Sequence, residues 1–135
     1  MARSRVLIVE DYPDLRAELR ELLEAEDLDV IEAPDERQAL AKLEEGPVEL
    51  ICTDLVLAEG SGYALMDFVR GHPALRDLPI LVMSGRSSPC DRAFAEEAGA
   101  NAILVKPFAR DEFVAAVKRL LGVRPLRLAS SNEAA

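Results

Sequence analysis

The sequence is poor in cysteine and in aromatic residues. It contains two cysteines and no tryptophan, and aromatic residues make up 4% of its 135 positions. Neither Cys52 nor Cys90 belongs to a CxxC or His/Cys pattern, so neither points to a metal site of the usual spacing. Cys52 lies inside an apolar run and is expected to be a small buried residue in a reducing compartment. The scarcity of aromatic rings argues against a platform on which nucleic acid bases stack.

Long apolar runs and positive charge are also scarce. No apolar run approaches the ~20 residues that a membrane-spanning helix needs. The first residues, MARSRVLIVEDYPD, hold a four-residue apolar run, which is too short for a signal peptide. We therefore expect a cytoplasmic protein with no membrane partner. The formal net charge of −9 argues against direct nucleic acid binding, which needs a basic face.

Five short apolar runs recur at similar spacing along the chain. Several are continuous rather than alternating, which is typical of strands covered on both faces. Apolar residues at helical spacing lie between them. This alternation predicts an α/β fold with a five-stranded parallel doubly wound sheet, flavodoxin-like, of strand order 2-1-3-4-5. The runs are RVLIV (5–9), LDVIE (28–32), VELICT (48–53), PILVMS (79–84) and AILVK (102–106).

The length of the chain corresponds to one domain. The last helical spacing of apolar residues ends at Gly122, and the final RPLRLASSNEAA shows no periodicity. We therefore predict a domain over residues 1–122 and a flexible tail or linker stub over residues 123–135.

Polar side chains follow four of the five predicted strands. In a doubly wound sheet, ligands bind outside the carboxyl ends of the strands. The predicted strand order makes these four strands neighbours, so three carboxylates, a hydroxyl and an ammonium would meet in one crevice. Each residue also has a plainer interpretation, since it could cap a helix, begin a turn or be solvated. The residues are Glu10 and Asp11, Thr53 and Asp54, Ser84, and Lys106.

These residue types suit phosphoryl transfer. Close carboxylates repel one another unless a cation or a proton lies among them. Mg²⁺ is usually held by one or two carboxylates together with phosphate oxygens. A carboxylate beside Mg²⁺ can act as a nucleophile and form an aspartyl phosphate. Lys106 can pair with the phosphoryl oxygens and Ser84 can donate a hydrogen bond to one of them.

Four segments together closely resemble the receiver domain of two-component response regulators, over about residues 4–122. They are LIVEDYPDLR, ICTDLVLAEGSGYALM, PILVMSG and GANAILVKPF. The resemblance implies that Asp54 accepts a phosphoryl group, helped by Ser84 and Lys106. It also implies the ligands of Mg²⁺, which are Glu10, Asp11, Asp54 and the backbone carbonyl of Val56.

The resemblance further implies a signalling domain, which catalyses only its own aspartyl phosphorylation and dephosphorylation. The phosphoryl donor would be a histidine kinase or a histidine phosphotransfer protein. The downstream protein would bind the face formed by the fifth predicted strand, AILVK (102–106), and the helices just before and just after it. The chain would be a monomer or a phosphorylation-dependent homodimer.

Several residues depart from or vary within the family pattern. Ser84 and Ile103 occupy the switch positions of the family, but Ile103 stands where the family usually has Tyr or Phe, so we expect Ser84 to close on the phosphate and Ile103 not to act as a gate. Ala58 stands where the family often has proline, and Val56 and Arg86 occupy positions that tune the lifetime of the phosphate. The sharp turn needed to aim Lys106 inward, together with the resemblance, predicts a cis Lys106–Pro107 bond.

Three other functions compete with that of a phosphorylated receiver. A flavodoxin-type cofactor carrier needs a phosphate-binding loop after strand 1, where VEDYPD is acidic. A phosphatase of the haloacid dehalogenase type needs an Asp-x-Asp motif there, which Asp11-Tyr12-Pro13 breaks. The third is a receiver that binds partners without ever being phosphorylated, and the complete acidic set with Lys106 argues against it. The one histidine, His72, is expected to be solvated rather than a phosphodonor.

Overall fold

Strands and helices alternate along the chain in the computed structural model, which describes residues 3–86 and 88–133 and the side chains through residue 122. The strands are β1 (Arg5–Val9), β2 (Asp29–Ala33), β3 (Leu50–Asp54), β4 (Ile80–Ser84) and β5 (Ala102–Val105). The helices are α1 (Pro13–Glu24), α2 (Glu36–Glu45), α3 (Gly62–Gly71), α4 (Pro89–Ala98) and α5 (Arg110–Glu133).

The five strands form one parallel sheet in the order β2-β1-β3-β4-β5. This confirms the predicted α/β fold and its doubly wound strand order. The order places the carboxyl ends of β1, β3, β4 and β5 side by side along one edge. None of the described helices is both long enough and apolar enough to cross a bilayer.

Both faces of the sheet are buried, which explains the continuous apolar runs. Successive residues of β1, such as Leu7 and Ile8, point to opposite faces and enter two separate clusters. One cluster packs against α2, α3 and α4, and the other packs against α1 and α5. Cys52 is fully buried in the second cluster, as predicted, and burial raises the pKa of its thiol.

The helices begin where polar side chains can satisfy free backbone N–H groups. Asp35, Ser61 and Ser88 each accept a hydrogen bond from a backbone N–H in the first turn of α2, α3 and α4. The residue before α1 is Tyr12, and its side chain makes no such bond. Neither Asp11 nor Ser84 is therefore used as a helix cap, which was the plainer interpretation of both residues.

The helix end that the sequence predicts at Gly122 is not observed, because α5 continues to Glu133. A glycine in a helix costs only about 1 kcal/mol relative to alanine, so it weakens a helix without having to end it. The segment predicted as a tail, residues 123–135, is thus helical through Glu133, and its last two residues lie outside the described chain. A domain boundary at residue 122 stays a prediction.

Candidate functional site

The polar residues that follow the strands meet at the carboxyl edge of the sheet. Glu10, Asp54 and Ser84 are buried there, with exposed fractions of 1%, 4% and 6%. Ser84 and Asp54 lie at the ends of the adjacent strands β4 and β3. A cavity with a volume of about 260 Å³ opens beside them. It is lined by Asp54, Leu55, Val56, Met83, Ser84, Gly85, Arg86 and Lys106.

Lys106 points into this cluster and is not simply solvated. Its Nζ atom lies 3.0 Å from Oε1 of Glu10 and 2.7 Å from Oδ1 of Asp54. Its backbone N–H donates to the carbonyl of Ser84 at 2.8 Å, which extends the β4–β5 ladder by one residue. The Lys106–Pro107 peptide bond is cis, as predicted. Lys106, at the end of β5, therefore contacts residues at the ends of β1, β3 and β4.

Asp54 has an unusual electrostatic environment. Its Oδ1 atom is buried and lies within ion-pair distance of Lys106, and among the described residues it has no other polar partner. Burial and the neighbouring Glu10 raise the pKa of Asp54 above its usual value, while Lys106 lowers it by less. Burial alone would lower the pKa of Lys106, but Asp54 and Glu10 outweigh burial and raise it. The Lys106 ammonium thus pairs with two carboxyl groups, those of Asp54 and Glu10.

Asp11 adds a third carboxylate to this group. Glu10, Asp11 and Asp54 each offer an oxygen, and these oxygens lie within 4.8 Å of one another. Carboxylate oxygens are hard donors of the kind that Mg²⁺ prefers. The excess of negative charge and the buried Oδ1 of Asp54 without a hydrogen bond both fit a cation at this place.

Two residues fix the backbone around Asp54: Thr53, which the sequence places beside it, and Gly62, whose importance was missed in the sequence. Thr53 Oγ1 donates to the carbonyl oxygen of Asp54 at 2.9 Å. The first residue of α3, Gly62, donates its N–H to the carbonyl of Leu55 at 2.9 Å. A Cβ atom on Gly62 would stand 2.1 Å from the carbonyl oxygen of Asp54, so only glycine fits. The Gly-Ser-Gly of the loop was the signal for such a close approach.

Val56 and Ser84 border the same cavity. Val56 forms an isolated bridge with Ser61 across the β3–α3 loop, and its side chain is exposed. Its carbonyl as a metal ligand stays a prediction. Ser84 Oγ accepts a hydrogen bond from the N–H of Arg86 at 2.9 Å. Accepting this bond does not use the proton of the hydroxyl, which can still be donated.

Ile103 and His72 lie away from the cavity. Ile103 pairs with Val82 in the sheet and packs, half-buried, against the cluster beneath α3 and α4. His72 follows α3, and its Nδ1 accepts a hydrogen bond from the N–H of Ala74 at 3.2 Å. Its ring also lies 5.6 Å from that of Phe68. His72 is therefore half-buried, because its ring packs against the helix that it ends, and the expectation of a solvated residue is borne out only in part.

Arg16, which the sequence analysis did not single out, connects to the site from α1. Its Nη1 donates to the carbonyl oxygen of Glu10 at 2.8 Å, and its Nε donates to Glu32 at 2.9 Å. Nothing in the local sequence distinguishes Arg16 from the other arginines of the chain, since the contact depends on how α1 packs against the sheet.

Comparisons with known proteins agree with this geometry. A family model described as the response regulator receiver domain matches residues 6–118. The chain is 37% identical over 129 residues to the transcriptional regulatory protein PrrA of Mycobacterium tuberculosis, covering 96% of this chain and 54% of PrrA. It thus spans about half the length of the curated relatives it matches.

Solved structures show the same likeness. The signal receiver domain of a signal transduction histidine kinase from Syntrophus aciditrophicus is 32% identical, with a TM-score of 0.81, covering 88% of this chain and 90% of that one. The chemotaxis response regulator CheY4 of Vibrio cholerae is 27% identical, with a TM-score of 0.84, covering 88% of this chain and 99% of that one. The chain therefore belongs to the response regulator receiver domain family of two-component signalling.

Proposed function

We propose that this domain accepts a phosphoryl group on Asp54 in a Mg²⁺-dependent reaction and thereby changes a protein-binding surface. The observation that carries the proposal is the buried Oδ1 of Asp54, which lies 2.7 Å from the Lys106 ammonium and has no other polar partner among the described residues. A carboxylate oxygen held beside a cation but not consumed by hydrogen bonds is available as a nucleophile.

The phosphoryl donor is a phosphohistidine on a histidine kinase or on a histidine phosphotransfer protein. An oxygen of Asp54 attacks the phosphorus, and an O–P bond forms. The P–N bond to the imidazole breaks, and its electron pair stays on that nitrogen. The kinase as a class of partner follows from the family, while its identity is specific to each system.

The residues around Asp54 supply positioning and charge. Glu10, Asp11 and Asp54 would hold Mg²⁺, with the carbonyl of Val56, and the ion would supply positive charge to neutralise the carboxylate and phosphoryl groups. Lys106 is already within ion-pair distance of the nucleophile, so its ammonium can pair with the phosphoryl oxygens once Asp54 is phosphorylated. The proton of the Ser84 hydroxyl is available for another phosphoryl oxygen.

The change in shape begins at Ser84. Its Oγ holds the N–H of Arg86, so a Ser84 that turns toward the phosphoryl group releases the loop of residues 85–88. This loop leads into α4, which Ser88 caps. Nη1 of Arg86 lies 3.7 Å from Oδ1 of Asp91, in the first turn of that helix. The change would reach a downstream protein through the face formed by α4, β5 and α5.

Ile103 takes little part in this route. Its side chain has no polar group, so turning it inward or outward leaves no hydrogen bond unmade, and its β-branched side chain is stiff. We therefore place Ser84, and not Ile103, at the start of the switch.

The domain acts in the cytoplasm, as a monomer or as a homodimer formed on phosphorylation.

Incubation of the protein with acetyl phosphate and Mg²⁺, followed by measurement of its intact mass, tests the proposal. The alternative, a receiver that binds partners without being phosphorylated, predicts no gain of mass.

A further inference from the structure

We propose that Arg16 is a positioning residue, which fixes the backbone at Glu10 and thereby sets the affinity of the acidic site for Mg²⁺. The inference rests on the proposed Mg²⁺ site. The Arg16 side chain is 19% exposed and lies between α1, the end of β1 and the end of β2. Because both of its bonds are shorter than 3 Å, one guanidinium ties three elements together.

Glu10 is held at each of its polar groups. Its N–H donates to the carbonyl of Ala33 at 3.1 Å. One carboxylate oxygen faces Lys106, and the other accepts the N–H of Tyr12 at 3.1 Å. The carbonyl oxygen is held by Arg16 alone among the described contacts.

The carbonyl of Glu10 and the N–H of Asp11 belong to the same peptide group. Since a peptide group is planar, a bond that fixes the carbonyl of Glu10 also fixes the N–H and the Cα of Asp11, from which the Asp11 side chain leaves the backbone. Glu32 in turn fixes the guanidinium of Arg16. The Arg16–Glu32 pair therefore orients the backbone of Glu10 and Asp11 without contacting the carboxylates of either residue.

Charge and positioning predict opposite effects for the loss of Arg16. A positive guanidinium near a cation site repels the cation, so charge alone predicts tighter Mg²⁺ binding when Arg16 is removed. Loss of positioning predicts weaker binding, because the ligands must then be ordered by the metal. Residues that orient metal ligands typically contribute 10- to 100-fold to affinity, roughly, in known sites.

Arg20 offers a matched control. It lies one turn further along α1, and its Nη1 donates to the other oxygen of Glu32 at 2.5 Å. Its Nε pairs with Glu24 at 2.9 Å. Arg20 thus shares the partner of Arg16 and carries the same charge, and its described bonds go to Glu24 and Glu32 rather than to Glu10.

The experiment is a calorimetric titration of the full chain with Mg²⁺, for the wild type and for Arg16→Met, Arg16→Lys and Arg20→Met. We expect Arg16→Met to weaken Mg²⁺ binding at least about tenfold. Arg16→Lys keeps the charge but has a single nitrogen for two acceptors, so it should weaken binding as well. Arg20→Met should stay within about twofold of the wild type.

A metal-free measurement accompanies the titration. The ¹³C chemical shift of the Glu10 carbonyl should change in Arg16→Lys and stay unchanged in Arg20→Met. Backbone amide shifts far from α1 should stay unchanged in all the variants, which shows that they are folded. Unchanged or tighter Mg²⁺ binding by the folded Arg16 variants would overturn the inference alone. A wild type that binds no Mg²⁺ would overturn the proposed function and this inference with it.

Discussion

The ammonium of Lys106, at the end of β5, reaches across the end of β4 and lies 2.7 Å from Oδ1 of Asp54, at the end of β3. The same ammonium lies 3.0 Å from Glu10. Two buried carboxyl groups share this one ammonium, so its removal leaves neither of them with an ion-pair partner among the described residues.

Lys106→Met should therefore destabilise the protein by about 1–3 kcal/mol at neutral pH without Mg²⁺, since breaking a partly buried ion pair leaves a charge uncompensated. Urea denaturation in the presence of a chelator measures this. Lys118→Met is the control, because Lys118 pairs with Glu26 at the surface. Equal losses for the two variants would contradict the described role of Lys106.

Gly62→Ala should lower stability by more than about 2 kcal/mol, because the added Cβ would stand 2.1 Å from the carbonyl oxygen of Asp54. It should also slow phosphorylation, since the backbone of Asp54 must shift. Gly71, at the other end of α3, has open space around it. Gly71→Ala should be neutral or slightly stabilising in the same denaturation experiment. A similar response to both substitutions would show that the close approach is unimportant.

Glu32 should contribute an acid-sensitive part of the stability. Burial alone would raise the pKa of Glu32, but hydrogen bonds from Arg20 and Arg16 outweigh it and hold the pKa below its usual value. The unfolded chain therefore binds a proton at Glu32 more readily than the folded chain does. The stability that Glu32 contributes is present above its unfolded pKa of about 4.3 and is lost as pH falls through its folded pKa.

Glu32→Gln should consequently be less stable than the wild type at pH 6, and the difference should shrink toward pH 3. Unfolding free energies measured across this range provide the comparison. Glu44→Gln, at an exposed position, is the control and should follow the wild-type curve. A difference between Glu32→Gln and the wild type that does not depend on pH would contradict the pKa shift.

Binding of the phosphate mimic beryllofluoride should change the loop of residues 85–88 and the start of α4, while the rotamer of Ile103 stays the same. Structures with and without the mimic, or methyl NMR of Ile103, measure this. A large rotamer change at Ile103 with an unchanged loop would show that the switch runs through β5 instead.

Much of the site follows from the sequence, because strand order alone decides which strand ends are neighbours. Glu10, Asp54, Ser84 and Lys106 each follow a strand, so a correct strand order brings them together without any knowledge of side-chain packing. The cis bond before Pro107 was likewise predicted from the turn that Lys106 must make, together with the resemblance to receiver domains.

Other features depend on packing that a single sequence does not encode locally. The reach of Arg16 to the carbonyl of Glu10 requires α1 to lie at a particular angle on the sheet. The packing of His72 against Phe68 depends on how α3 ends. The continuation of α5 past Gly122 shows that an apolar pattern can stop before its helix does.

The central claim is that Asp54 receives the phosphoryl group, and the intact mass after incubation with acetyl phosphate tests it most directly. The wild type should gain one phosphoryl group with Mg²⁺ and none when Mg²⁺ is chelated. Asp54→Asn should gain none under either condition, while Asp67→Asn, at an exposed position on α3, should behave as the wild type. Undiminished labelling of Asp54→Asn would contradict the account.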